Sequence, residues 1–429
     1  MRAPLPIASA VVVVLCASGK LWAQTAPDVP PAPGTPPPNA TGEVQRFEPA
    51  EVTESRPTNV APMTSVAPVK LASPELPPLT MDEIAIATTN SRVTLNVFGD
   101  TAFKVDSVTS GKPAFVLGPL DLLFTGRSGS LMALSEIALE TSDAGQIGID
   151  LERGFVGWHA EKFSIDAGRT HTELGYWNSA FHHGRWLQVP VDRPRIVLFE
   201  DEGGLLPIHS IGVTGRWRVL TGEHQVELMG ALGNGRGVIV DNLQLDRDTN
   251  LFKSLLLKIE AKGFGARELR FGISGFYDRI APEPAADAAG GATRPALPDQ
   301  TITELISNAY LAYRGSELTV IAEAFDILHT ATGEHWNTFD GFGLIAYRFG
   351  TLAPYATFEV RSGDVAQDPF FFPDPTAPSA ILGKFDEATV GLRWDLNTWS
   401  AIKIEYRPTW VVATRSWDQR EMIDWTFGL

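Results

Sequence analysis

From about Arg92 to the C-terminus, apolar and polar residues alternate with a period of two. In Ser400–Arg407, Ile402, Ile404 and Tyr406 fall on one face and Lys403, Glu405 and Arg407 on the other. Thr389–Leu396 repeats the pattern, with Val390, Leu392, Trp394 and Leu396 opposite Thr389, Gly391, Arg393 and Asp395. Leu269–Ser274 does the same. This period is that of a β-strand with one apolar and one polar face. The pattern predicts sixteen strands, at about 92–105, 114–125, 130–140, 146–158, 162–170, 208–219, 224–233, 253–261, 267–279, 301–313, 317–328, 338–348, 352–361, 386–396, 400–410 and 419–429.

The connections sort by length. Those after every second strand are short, reading GRSG, HAE, LTGE, KGFGA, RGS, FGT and NTW. The others are mostly longer, notably 171–207, 234–252, 280–300 and 362–385. A soluble sandwich has no reason to collect its short turns at one end. A closed up-and-down barrel in a membrane does, with tight periplasmic turns and long external loops. The fold expected is therefore all-β, a transmembrane antiparallel barrel of about sixteen strands, within a range of 14–18. Closure satisfies every backbone group in lipid without any apolar helix, and sixteen strands enclose a lumen wide enough for water. Tyr313, Tyr347, Phe349, Trp394 and Trp399 sit beside the short turns, where an interfacial girdle belongs.

The beginning of the chain reads differently. Residues 1–23 carry Arg2, an apolar run from Ile7 to Leu15, and Leu21-Trp22-Ala23 before Gln24. That is the pattern of a secretory signal cleaved after Ala23, with an apolar run too short to span a bilayer. Cys16 is the sole cysteine and lies inside it, so no disulfide framework is expected. Residues 24–80 hold 14 of the 31 prolines and one aromatic, Phe47, too little apolar surface to offset ordering. They are read as a disordered periplasmic arm, and 81–429 as the barrel. The formal net charge of −16 argues against nucleic acid as a partner.

The chain ends with Ile423, Trp425, Phe427 and Leu429 on one face. This resembles the C-terminal strand by which the barrel-assembly machinery recognises outer-membrane proteins, although such strands usually end in an aromatic residue. Over about 92–429 the chain resembles the sixteen-stranded porin class. The segment GRTHTELGYWNSAFHHGRWLQ looks like a stretch of uncharacterised porin-like proteins. Its step from Gly168-Arg169 to Leu174-Gly175-Tyr176-Trp177-Asn178 is similar to that of phosphate-selective porins. The resemblance implies a passive channel for ions and small hydrophilic solutes, seated in outer-membrane lipid and able to associate as a homotrimer. It also implies that the third external loop, here 171–207, folds inward and narrows the pore.

That loop carries His171, Glu173, His182, His183, Arg185, Arg193, Arg195, Glu200, Asp201 and Glu202, expected at the constriction. A plainer reading is a compact loop held by its own ion pairs. Alternation also places Asp100, Asp121, Glu136, Asp150, Glu152 and Asp166 on the inner wall of the early strands. Arg216, Arg218, Lys258, Arg270, Arg393, Lys403 and Arg407 line the later ones, interrupted by Glu260, Glu359, Asp395 and Glu405. This predicts a transverse field, acidic on one wall and basic on the other. A metal site from His171, His182, His183 and His209 has irregular spacing, and neither a metal nor another cofactor is expected. No catalytic motif is present: Gly126-Arg127-Ser128-Gly129 is a turn without the strand–elbow–helix setting of a serine nucleophile. The rival readings are a non-channel barrel serving as adhesin or anchor, and a barrel hydrolase.

Overall fold

The computed structural model describes residues 91–107, 112–141, 147–181, 184–199, 202–221, 223–237, 251–281, 301–371 and 383–429. The expected signal segment and arm lie outside these residues, as do His182, His183, Glu200 and Asp201.

The described chain forms one closed antiparallel sheet. Its strands are β1 (Ser91–Asp106), β2 (Ala114–Leu117), β3 (Leu120–Ser128), β4 (Leu131–Thr141), β5 (Ile147–His159), β6 (Phe163–His171), β7 (His209–Thr221), β8 (His224–Gly233), β9 (Ser254–Lys262), β10 (Leu269–Ile280), β11 (Ile302–Arg314), β12 (Leu318–Ala331), β13 (Glu334–Tyr347), β14 (Leu352–Gly363), β15 (Phe385–Asp395), β16 (Ser400–Val411) and β17 (Ser416–Gly428). From β3 onward each pairs with the next in sequence, and β1 closes the ring by pairing with β17, Phe98 opposite Gly428 through Asp106 opposite Arg420. On its other edge β1 pairs with β3 along 91–98 and with β2 along 101–104. β2 and β3 are thus one stave broken at Gly118-Pro119, where proline has no N–H for the ladder. Seventeen strands make a sixteen-stave barrel.

Burial is inverted relative to a water-soluble protein. Along β16, Lys403, Glu405 and Arg407 are buried while Ile404 and Tyr406 are exposed. On β17, Asp424 is 0% exposed and its neighbour Trp425 is 55% exposed. Val93, Ile149, Val156, Leu257, Ile273, Ile345, Phe358 and Val390 extend this outward apolar face around the barrel. Such a band, incompatible with water over so large an area, is what lipid requires. Trp158, Phe163, Trp217, Tyr347, Phe349, Trp394 and Trp399 project outward near the short turns. Among the described residues no helix is long and apolar enough to cross a membrane.

The turns 129–130, 160–162, 263–268, 315–317, 348–351 and 396–399, and the step from β7 to β8, share one end of the barrel. At the other end the sequence pattern needs one correction. β12 and β13 run past their expected limits and meet in the two-residue turn Thr332-Gly333. Gly333 takes a φ of 82°, which the tight turn requires and a side chain would resist. His329 continues the inward face of β12 and is fully buried, which carries the strand beyond its apolar residues.

Candidate functional site: the barrel interior and its inserted loop

The segment between β6 and β7 turns into the barrel rather than away from it. It holds one helical turn, α1 (Trp177–Ala180), and 3-10 turns at Arg185–Leu187 and Arg195–Val197. Leu174, Tyr176, Trp177, Phe181, Ile196, Val197, Leu205, Leu206 and Ile208 are all buried. They form one apolar cluster with inward side chains of β8–β14, among them Phe276, Ile306, Ile321, Phe325, Phe342 and Leu344. Trp177 meets Phe342 edge-on at 5.6 Å, and Tyr176 lies 5.6 Å from Tyr310. Each such side chain contributes roughly 1.5–3 kcal/mol of burial, so the loop is held by a core of its own inside the barrel.

Backbone groups of the loop are satisfied by the wall. Glu323 on β12 accepts the N–H groups of Tyr176 and Trp177, the second at 3.0 Å. Glu359 on β14 accepts those of Arg195 and Ile196 at 2.8 and 2.9 Å. Each carboxylate therefore caps the start of a helical turn, where orphan N–H groups need acceptors and the peptide dipoles favour negative charge. Glu405 accepts Val191 N–H at 2.9 Å. Cations take the carbonyls: Lys258 donates to Gly175 at 2.7 Å, Lys403 to Arg185 and to Pro190, and Arg393 to Trp186 and Gln188 at 2.8 and 2.7 Å.

The expected lining residues all sit on inward positions, but many face protein rather than water. Lys258, Arg393 and Lys403 are buried beneath the loop and spend their donors on its carbonyls. Arg407 is buried between Glu405 and Glu387, at 2.9 and 3.2 Å. Asp121, Glu136 and Asp166 are buried in the early wall; Glu136 binds Arg153 at 2.7 Å, and Asp166 binds Arg216 and His159. Asp150 is half-buried. A register shift in β5 beyond Leu151 brings the successive Glu152 and Arg153 both to inward partners, His209 and Glu136. Arg218 pairs with Glu227, and Arg270 with Glu260 at 3.3 Å, both partly exposed.

Within the loop, Arg185 binds Asp100 at 2.8 Å, Asp192 at 3.1 Å and Asp424 at 3.5 Å. Burial alone would lower its pKa, but these carboxylates, Asp192 foremost, raise it above the usual arginine value. Burial would conversely raise Asp192, yet Arg185, Arg407 and Arg420 hold it below the ordinary carboxylate range. Arg195 binds Glu387 at 2.8 Å, Arg193 lies over the Phe199 ring at 4.2 Å, and Glu173 pairs with Arg216. Glu202 is exposed. His171 is buried at the end of β6, against His209 and Phe199.

The expected separation into an acidic and a basic wall does not hold. Asp278, Glu304, Glu323, Asp340, Glu359, Glu387 and Asp424 all point inward from β10–β17, the side assigned to cations. Glu323, Glu359, Glu387 and Asp424 meet N–H groups or arginines of the inserted loop, while Asp278, Glu304 and Asp340 pair with groups of the wall and of the β8–β9 connection. Arg236 reaches Glu304 at 2.6 Å, His329 bridges Glu304 and Asp368 at 3.0 and 2.7 Å, and Arg361 binds Asp340 at 2.7 Å. Glu323 and this network escaped the sequence reading, since their partners lie far off along the chain and leave no periodic trace.

No protein-family model and no curated protein sequence matches the chain. Solved structures do. An anion-selective porin from Comamonas acidovorans superposes with a TM-score of 0.55 at 11% identity, over 79% of this chain and 100% of that one. The fold is that of a porin. A Salmonella typhi OmpF complex with daunomycin gives 0.51 at 12% identity, covering 80% and 98% of the two chains. The trimer form of in-vitro folded OmpT, an outer membrane protein of Vibrio cholerae, gives 0.50 at 11%, covering 79% and 99%. At these identities the likeness is one of architecture. This porin-like barrel differs from a plain water-filled tube in the apolar core that seats its loop.

Proposed function

We propose that this chain is a narrow, loop-constricted channel for passive diffusion of ions and small hydrophilic solutes across a bacterial outer membrane. The observation that carries the reading is the inversion of burial: ionised side chains inside, apolar ones outside, on a closed barrel. The porin fold supports it. The loop's apolar core packs against β8–β14, while Lys104, Arg153, Glu173, Arg185, Asp192 and Arg420 keep part of their surface exposed beside β1, β4, β7 and β17. A solute path along that charged margin, past rather than through the apolar core, is the route this arrangement favours. A margin lined by ion pairs favours hydrophilic solutes over apolar ones. The N-terminal arm is placed in the periplasm, after removal of the signal, and the same reading includes a homotrimer.

Single-channel recording tests it. Refolded barrel in a planar bilayer should give discrete, small, ohmic steps, and liposome swelling should admit small sugars but not large ones. A correctly folded barrel that is electrically silent would leave the anchor reading in its place. Light scattering coupled to size exclusion reports whether three barrels associate.

A further inference from the structure

The neck of the inserted loop carries a cluster that a diffusion channel does not need. His171 ends β6, His209 begins β7, and the two stand directly opposite in the ladder. The adjacent pair is joined by Thr172 N–H donating to Ile208 C=O at 2.8 Å. His171 and His209 therefore occupy a non-hydrogen-bonded position, where cross-strand side chains approach most closely. Their rings meet edge to face, centroids 4.7 Å apart. Glu152 reaches them from the β5 register shift, its Oε2 lying 2.7 Å from His209 Nε2. One donor atom from each of the three lies within 4.8 Å of the other two.

The surroundings are largely buried and partly aromatic. Phe199 stacks on His209 at 5.7 Å and meets His171 edge-on at 6.2 Å. Glu152 and His171 are buried. Arg169 comes from the same wall, but its Nε donates to the main-chain carbonyl of Glu152 at 2.8 Å rather than to the carboxylate.

We propose that Glu152, His171 and His209 form a site for a divalent transition metal ion, zinc fitting best, that clips both ends of the inserted loop to the barrel wall. Two imidazole nitrogens and one carboxylate oxygen are a borderline donor set that suits zinc, copper or nickel; magnesium and calcium prefer oxygen alone. Metal–ligand bonds of about 2.1 Å set tetrahedral donors about 3.4 Å apart, so small side-chain rotations convert the present geometry. The fourth position is left for water. Binding requires a neutral imidazole with its lone pair turned to the ion, so any proton on His209 Nε2 leaves as the metal enters between it and Glu152 Oε2. The site joins β5, β6 and β7 at the point where the loop leaves the wall and returns, so an ion there stiffens the loop at its base. It stands whether or not the barrel conducts.

The test uses the full mature chain without a polyhistidine tag, refolded and stripped with chelator. Titration with zinc alone should show one ion per barrel, and cobalt should give the intense visible bands of tetrahedral coordination. Copper, read by electron paramagnetic resonance on the unaltered barrel, should show two nitrogen ligands. Glu152→Gln, His171→Gln and His209→Ala should each weaken zinc binding at least about tenfold, with folding checked by heat-modifiable gel mobility. No zinc bound by the unaltered barrel at about 100 µM would overturn the proposal. So would binding unchanged in folded Glu152→Gln and His171→Gln, which would assign the ion to other histidines such as His182 and His183.

Discussion

Replacing Glu323 with glutamine should loosen the loop while leaving the barrel intact. Glu323 is 4% exposed and accepts Tyr176 N–H on Oε1 and Trp177 N–H on Oε2. Asn308 also donates to Oε1, at 3.5 Å. Glutamine keeps the volume and one acceptor but turns an amide NH2 toward the second N–H. One hydrogen bond to a charged group is lost, about 1.5–3 kcal/mol, and one buried donor is left unpaired, about 1–3 kcal/mol. Together this weakens docking by roughly 2.5–6 kcal/mol, a factor of roughly 10²–10⁴ in the ratio of docked to undocked loop. The ladder bonds of β12 are untouched, because they are main-chain. The assay is limited trypsin digestion of refolded barrel, since Arg185 and Arg195 offer cleavage sites only when the loop is out. Single-channel current should become larger and noisier in parallel. A Glu323→Gln barrel with wild-type gel mobility, wild-type trypsin resistance at these arginines and wild-type conductance would refute the reasoning.

Three further outcomes follow from the same structure. Asp192 has its pKa depressed by Arg185, Arg407 and Arg420 against the cost of burial, so its contribution to docking is fully present above about pH 3.8 and is lost as pH falls through its lower folded value; trypsin-independent probes of the loop, such as tryptophan fluorescence of Trp177 and Trp186, should change in strong acid and not between pH 5 and 8, about the range where histidine titrates. Leu257→Arg puts a cation on the outer face, where it should cost about 2–4 kcal/mol near the midplane and lower folding yield in lipid vesicles, whereas Leu257→Val should not. Ser316→Cys, in the 315–317 turn at the short-turn end, should resist an impermeant thiol reagent on intact cells and react after the outer membrane is opened; labelling of intact cells would invert the barrel.

The strands were legible because lipid outside demands a strict alternation. Ile402–Arg407 of β16 and Ile423–Trp425 of β17 show it, and the expected limits of both strands fall within a few residues of those observed. The interior was less legible for a definite reason. On β8–β14 the inward positions include Leu256, Phe276, Ile306, Ile321 and Phe342, so these staves are apolar on both faces and alternation cannot say what the inner face serves. Glu359 and Glu405 read as interruptions of a basic wall, yet they receive N–H groups from residues more than 160 positions away. His171 and His209 were noticed together, but their carboxylate partner Glu152 sat among the lining acids. Only the register shift in β5 and the pairing of β6 with β7 bring it to them.

One contact has a bearing on how the barrel is made. Arg185 binds Asp100 on β1 and Asp424 on β17, the first and last strands. Beside it Gly184 lies against Phe98, and Trp186 against Gly428, so closely that a Cβ on either glycine would fall within 3 Å of the aromatic neighbour. The loop is synthesised long before β17, yet the seat of its 184–186 segment is not complete until that strand seals against β1. The 184–186 segment therefore has its full set of contacts only once the ring has shut, and an unsealed barrel leaves an arginine without one of its acids. The loop in this way acts as an end-of-assembly check, tying the final geometry of the passage to the completeness of the wall around it.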